Sequence, residues 1–170
     1  MQNEYQGKVF TGKFGKVPEL VPFKDAFIQH WRYAHHHQFG KDTAFARPPE
    51  ILAYHLRKVH VDVGLYSDNH GYSGTEQCWN DWKTGKKDPK TGKRKITPTS
   101  DAYLIYLVTS ERNAVLLDFW YPPAHKTADL DAQMDKLIVE CGRIHEIQSS
   151  QPMPRDAELW GPEFCVDDDW

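Results

Sequence analysis

Three stretches of this sequence bring together side chains that move protons or bind phosphate. In "YPPAHKTADLDAQM" (121–134), two prolines end one element, His125 and Lys126 follow, and an amphipathic run begins. An imidazole passes protons near neutral pH, and a lysine beside it adds a charge-assisted donor. The free amides of a helix start would make the same place attractive to an anion. In "RKVHVDVGL" (57–65), Val59, Val61 and Val63 alternate onto one strand face and leave His60 and Asp62 on the other. A carboxylate near a histidine fixes its tautomer and raises its basicity. In "WNDWKTGKKDPKTGKRK" (79–95), Trp79 and Trp82 stand among seven basic residues, Lys83, Lys86, Lys87, Lys90, Lys93, Arg94 and Lys95. Cations that neutralise phosphates, interleaved with rings that stack on unpaired bases, suit single-stranded RNA. The plain readings of these residues are a solvated loop, a polar strand face and a flexible basic hairpin.

The run "HHH" (35–37), near His30 and His55, raises the question of a metal. Consecutive histidines on a helix point in different directions, and no His-x-x-x-His pair with a carboxylate completes a ligand set. No metal site is expected from this pattern.

The elements that must position these groups follow from periodicity and punctuation. Residues 5–17 carry short, broken alternation with several glycines and are expected to form an edge strand. Phe23, Phe27, Ile28, Trp31 and Ala34 recur at helical spacing within 18–40, with Pro22 at the start and Gly40 at the end. Residues 41–52 are expected to form a loop in which Pro48 and Pro49 open at most a turn of helix, and 57–65 a strand. The segment 66–100 is rich in Gly, Lys and turn residues without sustained period, and is expected to be a long basic loop. "DAYLIYLVTS" (101–110) and "NAVLLDFWY" (113–121) predict a hairpin around "SERN". Thr127 is a candidate N-cap for a helix whose apolar stripe is Leu130, Met134, Leu137, Ile138, Cys141 and Ile144. This order predicts an α+β fold, a small antiparallel sheet with packed helices.

Length and composition allow one domain with a core that needs no staple. The 170 residues carry a net charge of −3, which conceals a split. Residues 1–99 hold 16 Lys and Arg against 10 Asp and Glu, a net of +6, while 100–170 hold 5 against 14, a net of −9. A basic half beside an acidic half points to a polyanion-binding face with an acidic back. Cys78, Cys141 and Cys165 are odd in number and widely spaced, as expected of free thiols in a reducing compartment. No stretch approaches the ~18 apolar residues of a membrane span. "MQNEYQGKVF" has no apolar signal core, so a cytoplasmic location is expected. The domain is expected to span 1–148 with its basic loop at 66–100, followed by an acidic tail, 149–170, tied down at most by Trp160, Phe164 and Trp170.

Four blocks, in order, resemble the YafO family of bacterial type II toxin–antitoxin toxins: "KVFTGKF" (8–14), "FGKDTAFARP" (39–48), "LRKVHVDV" (56–63), and "TSDAYLIY" (99–106) running into "YPPAHKTADLDAQM". The Phe-Gly-basic-Asp block, the Ser-Asp before Leu-x-Tyr, and a Pro-Ala-His with Met nine residues on are specific in combination. The resemblance covers residues 8–147, with a basic connection at 66–98 longer than the family's usual one. It departs where Asp62 stands in place of a second strand histidine.

The resemblance implies a RelE-like compact toxin fold and a ribosome-dependent mRNA interferase that inhibits growth and works in the 70S A site without a metal or other cofactor. It also implies neutralisation by a cognate antitoxin protein. On that basis His60 and His125 are expected to be the acid and base, Lys126 and Arg57 to stabilise the phosphate, and Asp101 to orient a histidine. Lys58, Tyr103, Trp79, Trp82, Lys93, Arg94 and Lys95 are expected to contact RNA, and Asp42 is a further candidate. A metal-dependent hydrolase built on the histidines and a non-catalytic RNA-binding module are the alternatives.

Overall fold

The computed structural model describes residues 2–94 and 96–166, so Lys95 and Trp170 lie outside the described residues. β1 (Val9–Phe10) is followed by α1 (Val21–Tyr33), β2 (Phe39–Ala44), β3 (Leu56–Val61), α2 (Glu76–Thr84), β4 (Tyr103–Val108) and β5 (Ala114–Trp120). A short helix α3 (Ala124–Ala128) and the long α4 (Asp131–Gln148) close the series. The expected α+β architecture is present. Its sheet has the order β1-β5-β4-β3-β2 and is mixed rather than purely antiparallel, because the edge strand β1 runs parallel to β5. The hairpin forms as expected from "SERN", with β4 and β5 antiparallel.

Two apolar layers follow from the period-2 alternation of the strands. Tyr103, Ile105 and Leu107 of β4 face Met134, Leu137, Cys141 and Ile144 of α4. Leu104, Tyr106 and Val108 face the other way, onto Phe27 and Trp31 of α1. Leu130, expected in the α4 stripe, is instead 55 % exposed, because α4 starts after it and Thr127 belongs to α3.

Several segments differ from the sequence expectation. Of the edge strand expected over 5–17 only Val9–Phe10 is strand, with a 3-10 turn at Gly12–Gly15, and the strand expected over 57–65 stops at Val61. α1 stops at Tyr33, where Ala34 takes a left-handed φ of 66° and its N–H bonds the His30 carbonyl. Gly40 therefore does not end that helix but lies in β2, where a Cβ would meet the Pro98 carbonyl oxygen at 2.2 Å. Residues 39–44, of which 41–44 were expected as loop, form an edge strand whose outer groups are covered: Lys41 N–H donates to Pro98 O and Trp82 Nε1–H to Phe39 O. The basic segment contains α2, which Thr75 caps by accepting from the Cys78 N–H and Gly85 ends at φ 68°.

Trp160 and Phe164 tie the tail to the α1-side core as expected, and the tail packs more deeply than those two contacts. Met153 and Leu159 are each 3 % exposed in the α1-side core, and Trp160 packs against the rings of His30 and Trp31. Arg112, wholly buried at the β4–β5 turn, donates to the carbonyls of Gln6, Trp31 and Leu159 and lies 4.1 Å from the Trp31 ring centroid. One guanidinium thus joins the N-terminal segment, α1 and the tail. Burial pushes its pKa down to about 10.

A second buried charge cluster holds four elements together. The Asp42 carboxylate accepts from Arg57 Nε (2.9 Å) and Tyr106 OH (2.6 Å) and lies 2.8 Å from His30 Nε2. Arg57 also donates to the Asp42 carbonyl and lies 3.1 Å from His55 Nε2. Burial alone would raise the Asp42 carboxyl, but Arg57, His30 and Tyr106 outweigh it and hold it below its ordinary value.

Two expectations follow. Asp42→Ala leaves Arg57 buried without its counter-charge and should cost about 3–5 kcal/mol in chemical denaturation; a loss under 1 kcal/mol would show that the cluster carries little. Truncation after Gln148 removes Met153 and Leu159 from the core and should abolish the cooperative melt. A truncated chain that melts like the full one would restore the expected boundary at 148.

Candidate functional site

A cleft of about 670 Å³ opens where β3 and β4 meet α3. Its walls include His60, Ser100, Asp101, Tyr103, His125 and Lys126, together with the 65–74 segment that carries His70. The structure thus gathers five of the sequence-derived site residues, although β3, β4 and α3 are far apart in the chain.

His60 and Tyr103 are cross-strand partners, with ring centroids 4.7 Å apart. His60 is only 8 % exposed, and its Nδ1 lies 2.8 Å from Ser100 O and 2.9 Å from Ser100 N. Burial pushes its pKa down to about 4, against the hydrogen bond to Ser100. At neutral pH His60 is an uncharged ring locked by the backbone. Its one remaining N–H is far too weak an acid to serve as a general acid. Tyr103 is pushed up to about 12 by burial and by Asp101 and Asp129, so its hydroxyl stays protonated.

Asp62, expected beside His60, has other partners. Its Oδ1 accepts from the Gly64 N–H and Tyr66 OH, and its Oδ2 lies 2.6 Å from Lys83 Nζ, which anchors α2 to the end of β3.

Asp101 organises the opposite wall. Its carbonyl accepts from the Ala124 N–H, and its Oδ1 accepts from the His125 N–H at 2.9 Å and lies 3.0 Å from His125 Nδ1. His125 and Lys126 therefore sit inside a five-residue helix whose opening amides Asp101 already engages. The expected phosphate pocket on the amides of a helix mouth is not formed. What remains is a half-exposed imidazole with one nitrogen on a carboxylate and a neighbouring ammonium.

Beyond His125 the surface dips again into a depression of about 550 Å³ lined by Phe45, Arg47, Lys58 and Asp129, among others. His125 borders both hollows. The Lys58 ammonium lies 4.9 Å from the Tyr103 ring centroid and 5.2 Å from that of Phe45. Burial, with Lys41 and Arg47 nearby, lowers its pKa.

Several sequence-derived candidates do not reach this surface. Arg57 and Asp42 are consumed by the buried cluster. Trp79 is fully buried with its Nε1–H on Thr99 O, so it has no face for a base. Trp82 is half-buried and covered by the Arg94 guanidinium at 4.8 Å. Neither Lys93 nor Arg94 lines the cleft. His36 and His37 stack on each other, and among the described residues no group of three or more His, Cys, Asp or Glu is placed to hold a metal ion. No helix among them is long and apolar enough to cross a membrane. Sequence reasoning missed Arg47 and His70. "DNHGYSG" carries no periodicity that would aim His70, whose place depends on a loop closed by Ser67 N–H to Gly74 O, where a Cβ at Gly74 would meet Ser67 O at 2.4 Å.

A family model described as toxin YafO of a type II toxin–antitoxin system matches residues 24–146, a span that includes every residue lining the cleft. No curated protein and no solved structure matches the chain.

The neutral state of His60 has a consequence for stability. Its folded pKa of about 4 lies below the ordinary 6.5, so between these values the unfolded chain binds more protons and stability falls as pH drops. The contribution is fully present above pH 6.5 and should shrink by on the order of 2 kcal/mol at pH 5. Urea unfolding at pH 7 and pH 5 should show a drop that is smaller by this amount in His60→Gln. An identical drop in both proteins would mean that His60 titrates normally.

Proposed function

Because the chain belongs to the YafO family of type II toxin–antitoxin toxins, we propose that it is an endoribonuclease that cuts mRNA held by the ribosome, with the cleft around His125 as its active site. Membership of the family implies an antitoxin partner. The cut itself, the ribosome and the site residues are the reading advanced here.

In a cleavage without added nucleophile, the ribose 2′-oxygen attacks the adjacent phosphorus while the bond to the 5′-oxygen breaks. The 2′-hydroxyl proton passes to a base, and the leaving oxygen takes one from an acid. The products are a 2′,3′-cyclic phosphate and a 5′-hydroxyl. His125 suits the base role: with Nδ1 held at Asp101, Nε2 is left to accept the proton. Lys126 beside it supplies positive charge for the phosphorane-like transition state. The Tyr103 hydroxyl and the neutral His60 ring offer polar contacts on the cleft wall. Lys58, with Arg47 held 4.0 Å from Asp129, puts cations on the strand's path past His125.

The observation that carries this reading is the position of His125, fixed by Asp101 at the junction of two hollows with cations on both sides. A single strand threaded along that line would place one phosphate at His125.

The test is expression of wild type and His125→Ala from a tight promoter, with mRNA ends mapped with and without a translation block. His125→Ala should lose growth inhibition and cleavage, a 10²–10⁴-fold fall in rate, while its stability stays within about 1 kcal/mol. Wild-type cuts should vanish under the block. A folded mutant that still cuts, or a wild type that inhibits growth with mRNA intact, would contradict the assignment.

A further inference from the structure

An active site that cleaves RNA by internal attack needs two proton-transfer groups, and the ring first expected to serve with His125 cannot protonate a leaving group. His60 is buried, pinned by Ser100 and deprotonated well above pH 4. Among the other groups lining the cleft, Tyr66 OH is committed to Asp62, and its pKa is raised to about 12 by burial and that carboxylate. Tyr103 is raised equally far, so although it keeps its proton it is a much weaker acid than an imidazolium. Asp101 is engaged with the His125 backbone and ring.

Lys126 is assigned to the transition-state charge and must stay protonated for it, so one imidazole is left. His70 is exposed on the 65–74 wall, and its ring centroid lies 5.9 Å from that of His125 with the planes at 82°. Acid and base must each come within about 3 Å of their own oxygen on one phosphodiester. Two rings whose centroids lie 5.9 Å apart in the same cleft can be spanned by a single phosphodiester. Resting on the ribonuclease reading, we propose that His70 is the general acid of this site, giving its proton to the 5′-oxygen as the phosphorus–oxygen bond breaks, while His125 takes the 2′-hydroxyl proton. A turnover leaves His125 protonated and His70 neutral, and exchange with water, or hydrolysis of the cyclic phosphate with the two roles reversed, resets them.

The position of His70 is set by the wall rather than by the sheet. The Ser67–Gly74 closure holds the loop, and Ser73 binds the segment leading into β4, its carbonyl accepting from Thr99 N–H and its hydroxyl 2.9 Å from Thr99 Oγ1. These contacts tie the His70 loop to the segment that carries Ser100 and Asp101. Acid and base are thereby referred to one stretch of backbone.

A sulfur leaving group separates this role from any other. A thiolate departs without a proton, so a bridging 5′-phosphorothiolate at the scissile linkage removes the need for an acid. The wild-type cut is first mapped on a defined mRNA programmed into ribosomes, and the same mRNA is then made with sulfur at that linkage. His70→Ala, checked by its melt to be folded, should cut the ordinary linkage 10²–10⁴-fold more slowly than wild type and the sulfur linkage within about tenfold of it. His125→Ala should remain slow on both. Wild-type rates for His70→Ala on the ordinary linkage, or an equal loss on both linkages, would overturn the acid assignment and leave the ribonuclease reading standing. Failure of the wild type to cut the mRNA at all would remove both.

Discussion

The carboxylate of Asp42, buried with Arg57, Tyr106 and His30 around it, is the constraint on which the rest of the arrangement turns. It joins α1, β2, β3 and β4 in one cluster whose charge cannot be solvated from outside. With strand side chains alternating between faces, fixing Arg57 on the α1 side also fixes Val59 and Val61 there. Lys58 and His60 must then emerge on the α4 side, where both hollows lie. A slip of one residue in β3 would bury Lys58 in the α1-side core and carry His60 out of the cleft. The ion cluster is therefore remote from the chemistry but sets which side chains reach it.

Asp101 does the complementary work on the exposed side. It sits just before β4 and reaches α3, so the end of the sheet and the start of the helix share one carboxylate. The two aspartates act in different dielectric settings. Asp42 is enclosed and its removal strands a charge, whereas Asp101 is partly solvated and acts through geometry, holding a ring and capping a short helix. Asp62 adds a third tie, joining α2 to the end of β3 through Lys83.

The parts of the fold that were legible in the sequence are those whose stability is local and periodic. β3, the β4–β5 hairpin and α4 carry alternation or a helical stripe and each formed, although β3 stops at Val61 and α4 begins only after Leu130. β2 was not legible because "FGKDTA" has no apolar alternation; it is a strand through pairing with β3 and the cover given by Trp82 and Pro98. α2 was hidden by a surrounding excess of Lys and Gly, although Thr75 and Gly85 mark its ends and Cys78 and Trp79 its buried side. The tail reads as polar, yet Met153, Leu159 and Trp160 cover α1. At the site, His125, Lys126 and His60 were named from their types and neighbours, and Asp101 and Tyr103 from the family resemblance. The use of Arg57 by Asp42 and the approach of His70 depend on contacts between residues distant in the chain, which no local pattern encodes.

The chemistry of the severed ends tests the account most directly. Internal attack by the 2′-oxygen, with histidines moving the protons, leaves a 2′,3′-cyclic phosphate, or the 3′-phosphate formed by its hydrolysis, on one fragment and a 5′-hydroxyl on the other. Ligation-based end analysis of mRNA cut by the wild-type protein on ribosomes should find these groups. A 3′-hydroxyl paired with a 5′-phosphate would mean that water attacked the phosphorus from the opposite side, and the His125 cleft could not then be working as described.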